Sequence, residues 1–176
     1  MPTQQKMMFA GAAGQLEGVL HLPDGEPQAV AVVAHPLPTM GGTMDNKVVT
    51  TLAKTFVELG FAALRFNFRG VGASDGEFDS GNGEVEDVLP LILSGFSFGG
   101  YVQARAAQHL HPQAHKLVLV APAVGRFAMP PVPHNTLLLH GEYDEVIPLA
   151  DALDWARPQH LPLWCCLRRG ISFTGG

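Results

Sequence analysis

Residues 95–100 read GFSFGG, and this stretch decides the fold of the chain. Its pattern Gly-x-Ser-x-Gly centres on Ser97, which follows an apolar run at 89–93 and precedes a helical pattern at 101–109. A serine on a sharp turn from strand to helix projects its hydroxyl above the sheet, where flanking side chains larger than glycine would collide. The helix N-terminus also brings N–H groups and a positive dipole to that hydroxyl. The pattern therefore predicts a nucleophile elbow with Ser97 as the nucleophile.

The rest of the chain alternates short apolar runs with helical patterns, which is typical of an α/β protein whose parallel sheet is covered on both faces. Asp45 or Asn46 could cap the first helix, and Gly60 follows it. The predicted strands are 7–10, 15–22, 29–34, 61–68, 89–93, 116–120 and 136–140, and the predicted helices are 47–59, 101–109 and 149–155.

The loops at the carboxyl ends of parallel strands form the ligand crevice in such sheets. We therefore expect the functional site to lie among the loops that follow Ala34, Phe68, Leu93, Val120 and His140.

Composition excludes several classes of protein. The 176 residues predict one domain, and the net charge of −5 gives no electrostatic footprint for nucleic acid. No apolar run is long enough to span a membrane, and no signal peptide is visible at the start, so we expect a cytoplasmic protein. The adjacent Cys165 and Cys166 lack the spacing of a zinc or redox pair, and His109, His111 and His115 fall in a loop without carboxylates. We expect no cofactor and no metal.

A serine nucleophile needs a base, an acid that orients the base, and donors for the oxyanion. On this fold the order is serine, acid, histidine, and Asp144 follows the fifth buried strand in an acidic loop, which makes it the candidate acid. The Phe98 N–H is one candidate oxyanion donor. The Leu37 N–H is the other, because the prolines on both sides of it have no N–H. His35 precedes the serine and is interpreted as a structural residue of that loop.

Four segments carry a resemblance to the α/β-hydrolase superfamily, and in particular to its small lidless members of the dienelactone-hydrolase-like type. The resemblance implies Ser97 as nucleophile, Asp144 as acid, an oxyanion hole at Leu37 and Phe98, and hydrolysis of small soluble esters. It also implies that the glycines after Arg69 form a structural turn, which agrees with the lack of a third glycine for a dinucleotide fingerprint. The segments are 35–47 (HPLPTMGGTMDNK), 64–76 (LRFNFRGVGASDG), 95–101 (GFSFGGY) and 118–124 (VLVAPAV).

The sequence departs from this family at the base. The only histidine after Asp144 is His160, which precedes the last expected strand, whereas the histidine of the family follows that strand. His160 is the remaining candidate base. Residues 163–176 fit no strand or helix pattern as written. Read one frame over, permitted codons give an apolar run followed by Gly-His, so we expect a frameshifted tail after about residue 161 that has lost the histidine and the last helix.

A second departure lies before the serine, where only residues 84–88 remain for a crossover helix. A parallel crossover takes about a dozen residues, so this helix is expected to be truncated, and an intact relative should carry extra residues between Asp87 and Leu89. The sequence thus predicts an incomplete hydrolase domain over 1–162 and an aberrant segment over 163–176. Two functions stay open, a serine esterase and a catalytically inactive protein of the same fold.

Overall fold

The computed structural model describes residues 3–86, 92–109 and 116–166. These residues form an eight-stranded sheet in the order β1-β2-β4-β3-β5-β6-β7-β8. The first two strands join antiparallel at one side, and every other neighbouring pair from β4 to β8 is parallel. The strands are β1 (Thr3–Gly11), β2 (Gly14–Leu22), β3 (Val30–Ala34), β4 (Ala62–Phe66), β5 (Ile92–Phe96), β6 (Lys116–Val120), β7 (Thr136–Gly141) and β8 (Leu163–Cys166).

Helices cover both faces of this sheet, which confirms the predicted mostly parallel α/β architecture. One apolar cluster joins β3 and β4 to the first helix through Val49, Ala53 and Val57. A larger cluster on the other face includes Val102 and Ala106 of the helix that follows Ser97. The helices are α1 (Lys47–Glu58), α2 (Asn82–Glu86), α3 (Phe98–His109) and α4 (Leu149–Ala156), with short 3-10 turns at Pro38–Met40 and Arg157–Gln159.

The start of α1 decides between the two predicted caps. The Asn46 side chain accepts a hydrogen bond of 2.9 Å from the Val48 N–H, so Asn46 is the cap and Asp45 is not. The helix ends at Glu58, and Gly60 follows with a φ of +85°. This anchored start sets the end of the loop between β3 and α1.

The strand before Ser97 ends three residues later than predicted. The apolar run suggested 89–93, but β5 is Ile92–Phe96, because Gly95 and Phe96 pair with Leu119 and Val120 of β6. The strand therefore reaches Ser97 directly. Residues 89–91 lie outside the described residues.

The two expected departures from the family lie at α2 and β8. Before β5, the described residues form the five-residue helix α2, and residues 87–91, where extra residues are expected in relatives, lie outside the described ranges. Beyond the expected domain end at residue 162, Leu163–Cys166 pair in parallel with β7. These four residues belong to the sheet although they fit no strand pattern in the sequence, because the edge of β7 offers them backbone partners. Residues 167–176 are outside the described part.

The described residues contain no helix that is both long and apolar enough to cross a membrane.

Candidate active site

Ser97 lies on a strained turn between β5 and α3. Its φ of +54° is in the left-handed region, which costs a residue with a side chain free energy that the surrounding structure must offset. Here the Ser97 N–H donates to the Val120 carbonyl at 3.0 Å, and its own carbonyl accepts from Gly100 at 3.0 Å and from Ala123 at 3.3 Å. Hydrogen bonds from two neighbouring segments thus hold the serine in this conformation.

The glycines that flank the serine are required by close backbone contacts. A Cβ on Gly95 would lie 2.3 Å from the Gly99 carbonyl carbon. A Cβ on Gly99 would lie 2.5 Å from the His35 carbonyl oxygen. Because backbone atoms occupy both positions, α3 can approach β5 and the loop after β3 only with glycine in these places. This agrees with the steric requirement inferred from the sequence.

A cavity of about 350 Å³ opens above Ser97 at the carboxyl ends of the strands. The loops after β3, β5, β6 and β7 line it, as expected, but the loop after β4 does not. Its walls are mainly apolar. Among the described residues, the charged side chain that lines the cavity is that of Arg126, which is exposed to solvent. The lining residues are Pro36, Leu37, Met40, Gly41, Gly42, Asn46, Ser97, Phe98, Ala123, Arg126, Phe127, Val146 and Ile147.

Both candidate oxyanion donors belong to this cavity. Phe98 is the first residue of α3, and the N–H groups of a first helical turn have no carbonyl partner within their own helix. Leu37 lies between two prolines in the loop after β3. Within the described residues, neither the Leu37 N–H nor the Phe98 N–H donates to a protein acceptor. The structure brings Ser97, Leu37 and Phe98 together around one cavity.

His35 is fully buried and holds the loop that carries Leu37. Its Nδ1 lies 2.6 Å from the Pro36 carbonyl oxygen, and its Nε2 accepts the Phe68 N–H at 3.0 Å. Burial lowers the pKa of His35 to about 4, although the Pro36 hydrogen bond acts in the opposite direction. A neutral ring with both nitrogens engaged is a structural residue, and this part of the prediction is confirmed.

Asp144 is buried in the loop after β7, next to two lining residues of the cavity. Its Oδ1 accepts the Val146 and Ile147 N–H groups, each at 2.9 Å. Its Oδ2 is buried and has no hydrogen-bond partner among the described residues. Glu142 is half-buried and Glu145 is exposed. Among these three acids only Asp144 has a fixed carboxylate with a free, water-shielded acceptor atom.

Sequence reasoning did not identify His140, which supports this acidic loop. His140 is completely buried at the end of β7, and its Nε2 donates to the Ile147 carbonyl at 2.9 Å. The Ile147 N–H in turn donates to Asp144. His140 therefore helps to fix the loop that holds the carboxylate. Its position in the last residues of an apolar strand gave only a weak sequence signal.

The structure does not bring His160 to Ser97. His160 is exposed and ends the 3-10 turn Arg157–Gln159, with a φ of +54°. It precedes β8, which runs parallel to β7, so it lies at the amino-terminal edge of the sheet, opposite the cavity. It is not a lining residue. A base must come within hydrogen-bond distance of the hydroxyl, and this position does not allow that.

Of the cysteines and histidines considered as ligands, those that the structure describes do not line the cavity. Cys165 and Cys166 are exposed free thiols on β8, and His109 is exposed at the end of α3. His111 and His115 lie outside the described residues. In the described ranges, no three His, Cys, Asp or Glu side chains are close enough together to hold a metal ion.

Comparison with known proteins gives no match to a protein-family profile. A lidless α/β serine hydrolase of Xanthomonas campestris is 34% identical, with a TM-score of 0.87 over 97% of this chain and 87% of the other. An α/β serine hydrolase homologue of Coxiella burnetii is 35% identical, with a TM-score of 0.78 over 93% of this chain and 86% of the other. An uncharacterised protein of Rickettsia prowazekii is 30% identical over 85% of this chain and 71% of its own length.

Proposed function

Because the chain belongs to the α/β-hydrolase superfamily, we propose that it carries the site of a serine hydrolase that forms an acyl-enzyme on Ser97. The observation that carries the proposal is the Ser97 turn. A buried serine with a φ of +54° stands at the floor of an apolar cavity, beside two amide groups without protein acceptors. Such strain at a concave site is typical of functional residues.

The proposed reaction has two halves. The Ser97 oxygen attacks the ester carbonyl carbon, its proton passes to a base, and the Leu37 and Phe98 N–H groups stabilise the oxyanion. The carbon–oxygen bond to the alcohol then breaks, and the alcohol leaves with a proton. Water attacks the acyl-enzyme in the same manner and releases the carboxylic acid. Loss of one oxyanion donor costs about 3 kcal/mol of transition-state stabilisation in comparable sites.

The substrate class follows from the cavity. A volume of about 350 Å³ with mainly apolar walls suits a small ester. Met40 lies on its rim and is 70% exposed, so the rim is open to solvent there. These features favour small soluble esters over long-chain lipids.

Among the described residues, no histidine is placed to act as the base for Ser97. A histidine would have to contact both Ser97 and Asp144, but His35 and His140 are engaged elsewhere and His160 lies at the opposite edge of the sheet. The unpartnered Oδ2 of Asp144 is the acceptor that an imidazole N–H would use. This observation favours a second candidate function, a catalytically inactive protein of the same fold.

Imidazole in solution separates the two candidates. If the site is that of a serine hydrolase, added imidazole should raise the rate at which the protein hydrolyses p-nitrophenyl acetate by about tenfold or more. This rate is measured after subtraction of the hydrolysis by imidazole without protein. Replacement Ser97→Ala should abolish the increase, and His160→Gln should leave it unchanged.

The opposite outcome identifies the second candidate. If imidazole gives no increase that depends on Ser97, the chain is an inactive member of the fold. If hydrolysis without imidazole is rapid and His160→Gln removes it, then His160 is the base and the arrangement described for the turn before β8 is wrong.

A further inference from the structure

We infer that Asn67 is a positioning residue for the oxyanion donor at Leu37, an inference that rests on the proposed function. Asn67 does not line the cavity and follows β4, whose loop stands outside the site. Its side chain is nevertheless buried, with 4% of its surface exposed, and it contacts the loop that carries Leu37.

The loop between β3 and α1 behaves as one small unit. The Leu37 carbonyl accepts hydrogen bonds from the Met40 and Gly42 N–H groups, both at 3.1 Å. A Cβ on Gly42 would lie only 2.1 Å from the Pro36 carbonyl oxygen, so the turn closes tightly on itself. Because these contacts make the turn rigid, it moves as one unit. The position of the Leu37 N–H is therefore set by the contacts that hold the two ends of the loop.

Two consecutive residues after β4 hold those two ends. At the start of the loop, the Phe68 N–H donates to His35 at 3.0 Å. At its end, the Asn67 Oδ1 accepts the Met44 N–H at 2.8 Å, and this bond is buried. The Arg65 guanidinium, from β4 itself, donates to the Met44 carbonyl at 3.1 Å. Both peptide groups of Met44 are therefore fixed to one short segment.

Asn67 is itself fixed on its other side by β2 and the following turn. Its Nδ2 donates to the Glu17 Oε2 at 2.8 Å, and its backbone N–H donates to the Glu17 carbonyl at 2.8 Å. The Ser74 hydroxyl donates to the Asn67 carbonyl at 2.9 Å. With its amide oxygen and nitrogen both engaged, the side chain has one orientation, and it transmits the position of β2 and β4 to the loop.

This geometry predicts an effect on the transition state rather than on ground-state binding. An oxyanion donor is effective only within about 2.7–3.1 Å of the developing charge, and misplacement by about an ångström can lower a rate by a factor of about a hundred. About half of the lining that holds the ester comes from the loops after β5, β6 and β7 and lies outside this turn. Loss of the Met44 bond should therefore slow acylation and leave KM nearly constant.

The test compares three variants by imidazole-assisted acylation with p-nitrophenyl acetate and by hydrogen exchange of the loop amides from 37 to 44. Asn67→Leu removes both side-chain hydrogen bonds at similar volume, and we expect acylation to fall by about tenfold or more with KM constant, together with faster exchange in the loop. The pair Asn67→Asp with Glu17→Gln restores an acceptor for Met44 and a donor opposite it, at the loss of the bond that the Ala73 N–H donates to Glu17 Oε2 at 3.0 Å. Because Ala73 lies outside the cavity loop, the pair should still recover acylation to within about threefold.

The matched control is Gln103→Leu, which removes another buried amide. Gln103 makes a long contact of 3.5 Å with the Val32 carbonyl and does not touch the loop. Equal acylation and loop exchange in Asn67→Leu and Gln103→Leu would overturn the inference, as would faster loop exchange with unchanged acylation. If the parent shows no acylation that depends on Ser97, the proposed function fails. In that case hydrogen exchange still tests the inference, because an unchanged exchange rate of the loop amides in Asn67→Leu would show that Asn67 does not position the loop.

Discussion

The Phe68 N–H donates a hydrogen bond of 3.0 Å to the Nε2 of His35, so the imidazole must keep an unprotonated nitrogen in the core. The Nδ1 atom faces the Pro36 carbonyl oxygen at 2.6 Å and carries the ring proton. His35 thereby connects the end of β4 to the start of the cavity loop. A second proton on this ring would break the connection.

Acid should therefore destabilise the protein through His35. Its pKa in the folded state is about 4, below the usual 6.5, so the unfolded chain takes up the proton first as pH falls. Above about pH 6.5 His35 causes no loss of stability. As the pH falls from there, the free energy of unfolding decreases, and the decrease reaches roughly 3 kcal/mol at about pH 4. Urea unfolding of the parent and of His35→Gln, at several pH values across this window, measures the difference.

In that comparison every other ionisable group is present in both proteins, so the difference isolates His35. Glutamine keeps an acceptor for the Phe68 N–H and cannot be protonated in this range. Parallel stability curves for the two proteins between pH 6.5 and 4 would show that His35 does not stay neutral in the fold.

The contact between Gly99 and the loop after β3 predicts a steric effect on stability. Alanine at this position would place its Cβ 2.5 Å from the His35 carbonyl oxygen, and neither backbone segment can shift without moving the sheet or α3. We expect Gly99→Ala to lower the free energy of unfolding by about 3 kcal/mol. Chemical denaturation measures this loss.

The adjacent Gly100 provides the matched control. A Cβ there would meet Pro122 at 3.4 Å, which is an ordinary contact, and alanine is the better helix former. Gly100→Ala should therefore stay within about 1 kcal/mol of the parent or exceed it. Equal losses for the two variants would mean that helix entropy, and not the close approach, explains the glycines.

The carboxylate of Asp144 should matter for imidazole-assisted hydrolysis. Asp144→Asn keeps an oxygen for the Val146 and Ile147 N–H groups but removes the charge that would orient and stabilise an imidazolium. We expect the assisted rate to fall by about tenfold or more. The control is Glu145→Gln, which removes a neighbouring exposed charge and should leave the rate unchanged. An equal effect of both changes would mean that Asp144 acts only through the negative electrostatic potential of the loop, and not by orienting the imidazole.

Much of this site could be predicted from the chain alone because its chemistry depends on short, local patterns. The glycines around Ser97 and the prolines around Leu37 restrict the backbone wherever they occur, so they indicate a turn and a donor without tertiary information. The parallel strands are recognisable as apolar runs, as in the AVAVVA run that contains β3.

The rest depends on contacts between distant segments. The end of β5 was misplaced because the apolar run does not reveal that Gly95 and Phe96 pair with β6. The strand at Leu163–Cys166 was missed because its polar and sulfur-containing neighbourhood has no strand pattern, whereas the edge of β7 supplies the partners. The supports at Asn67 and His140 join residues through buried hydrogen bonds, which leave no periodic signal.

Ser97 is the proposed nucleophile, and peptide mass spectrometry after reaction with p-nitrophenyl acetate and imidazole is the direct test of this role. We expect an acetyl group on the peptide that contains Ser97, at the serine itself, and none on that peptide in Ser97→Ala. Gly100→Ala, which keeps the turn, should be acetylated like the parent. Acetylation confined to lysines or histidines, with the Ser97 peptide unmodified, would contradict it.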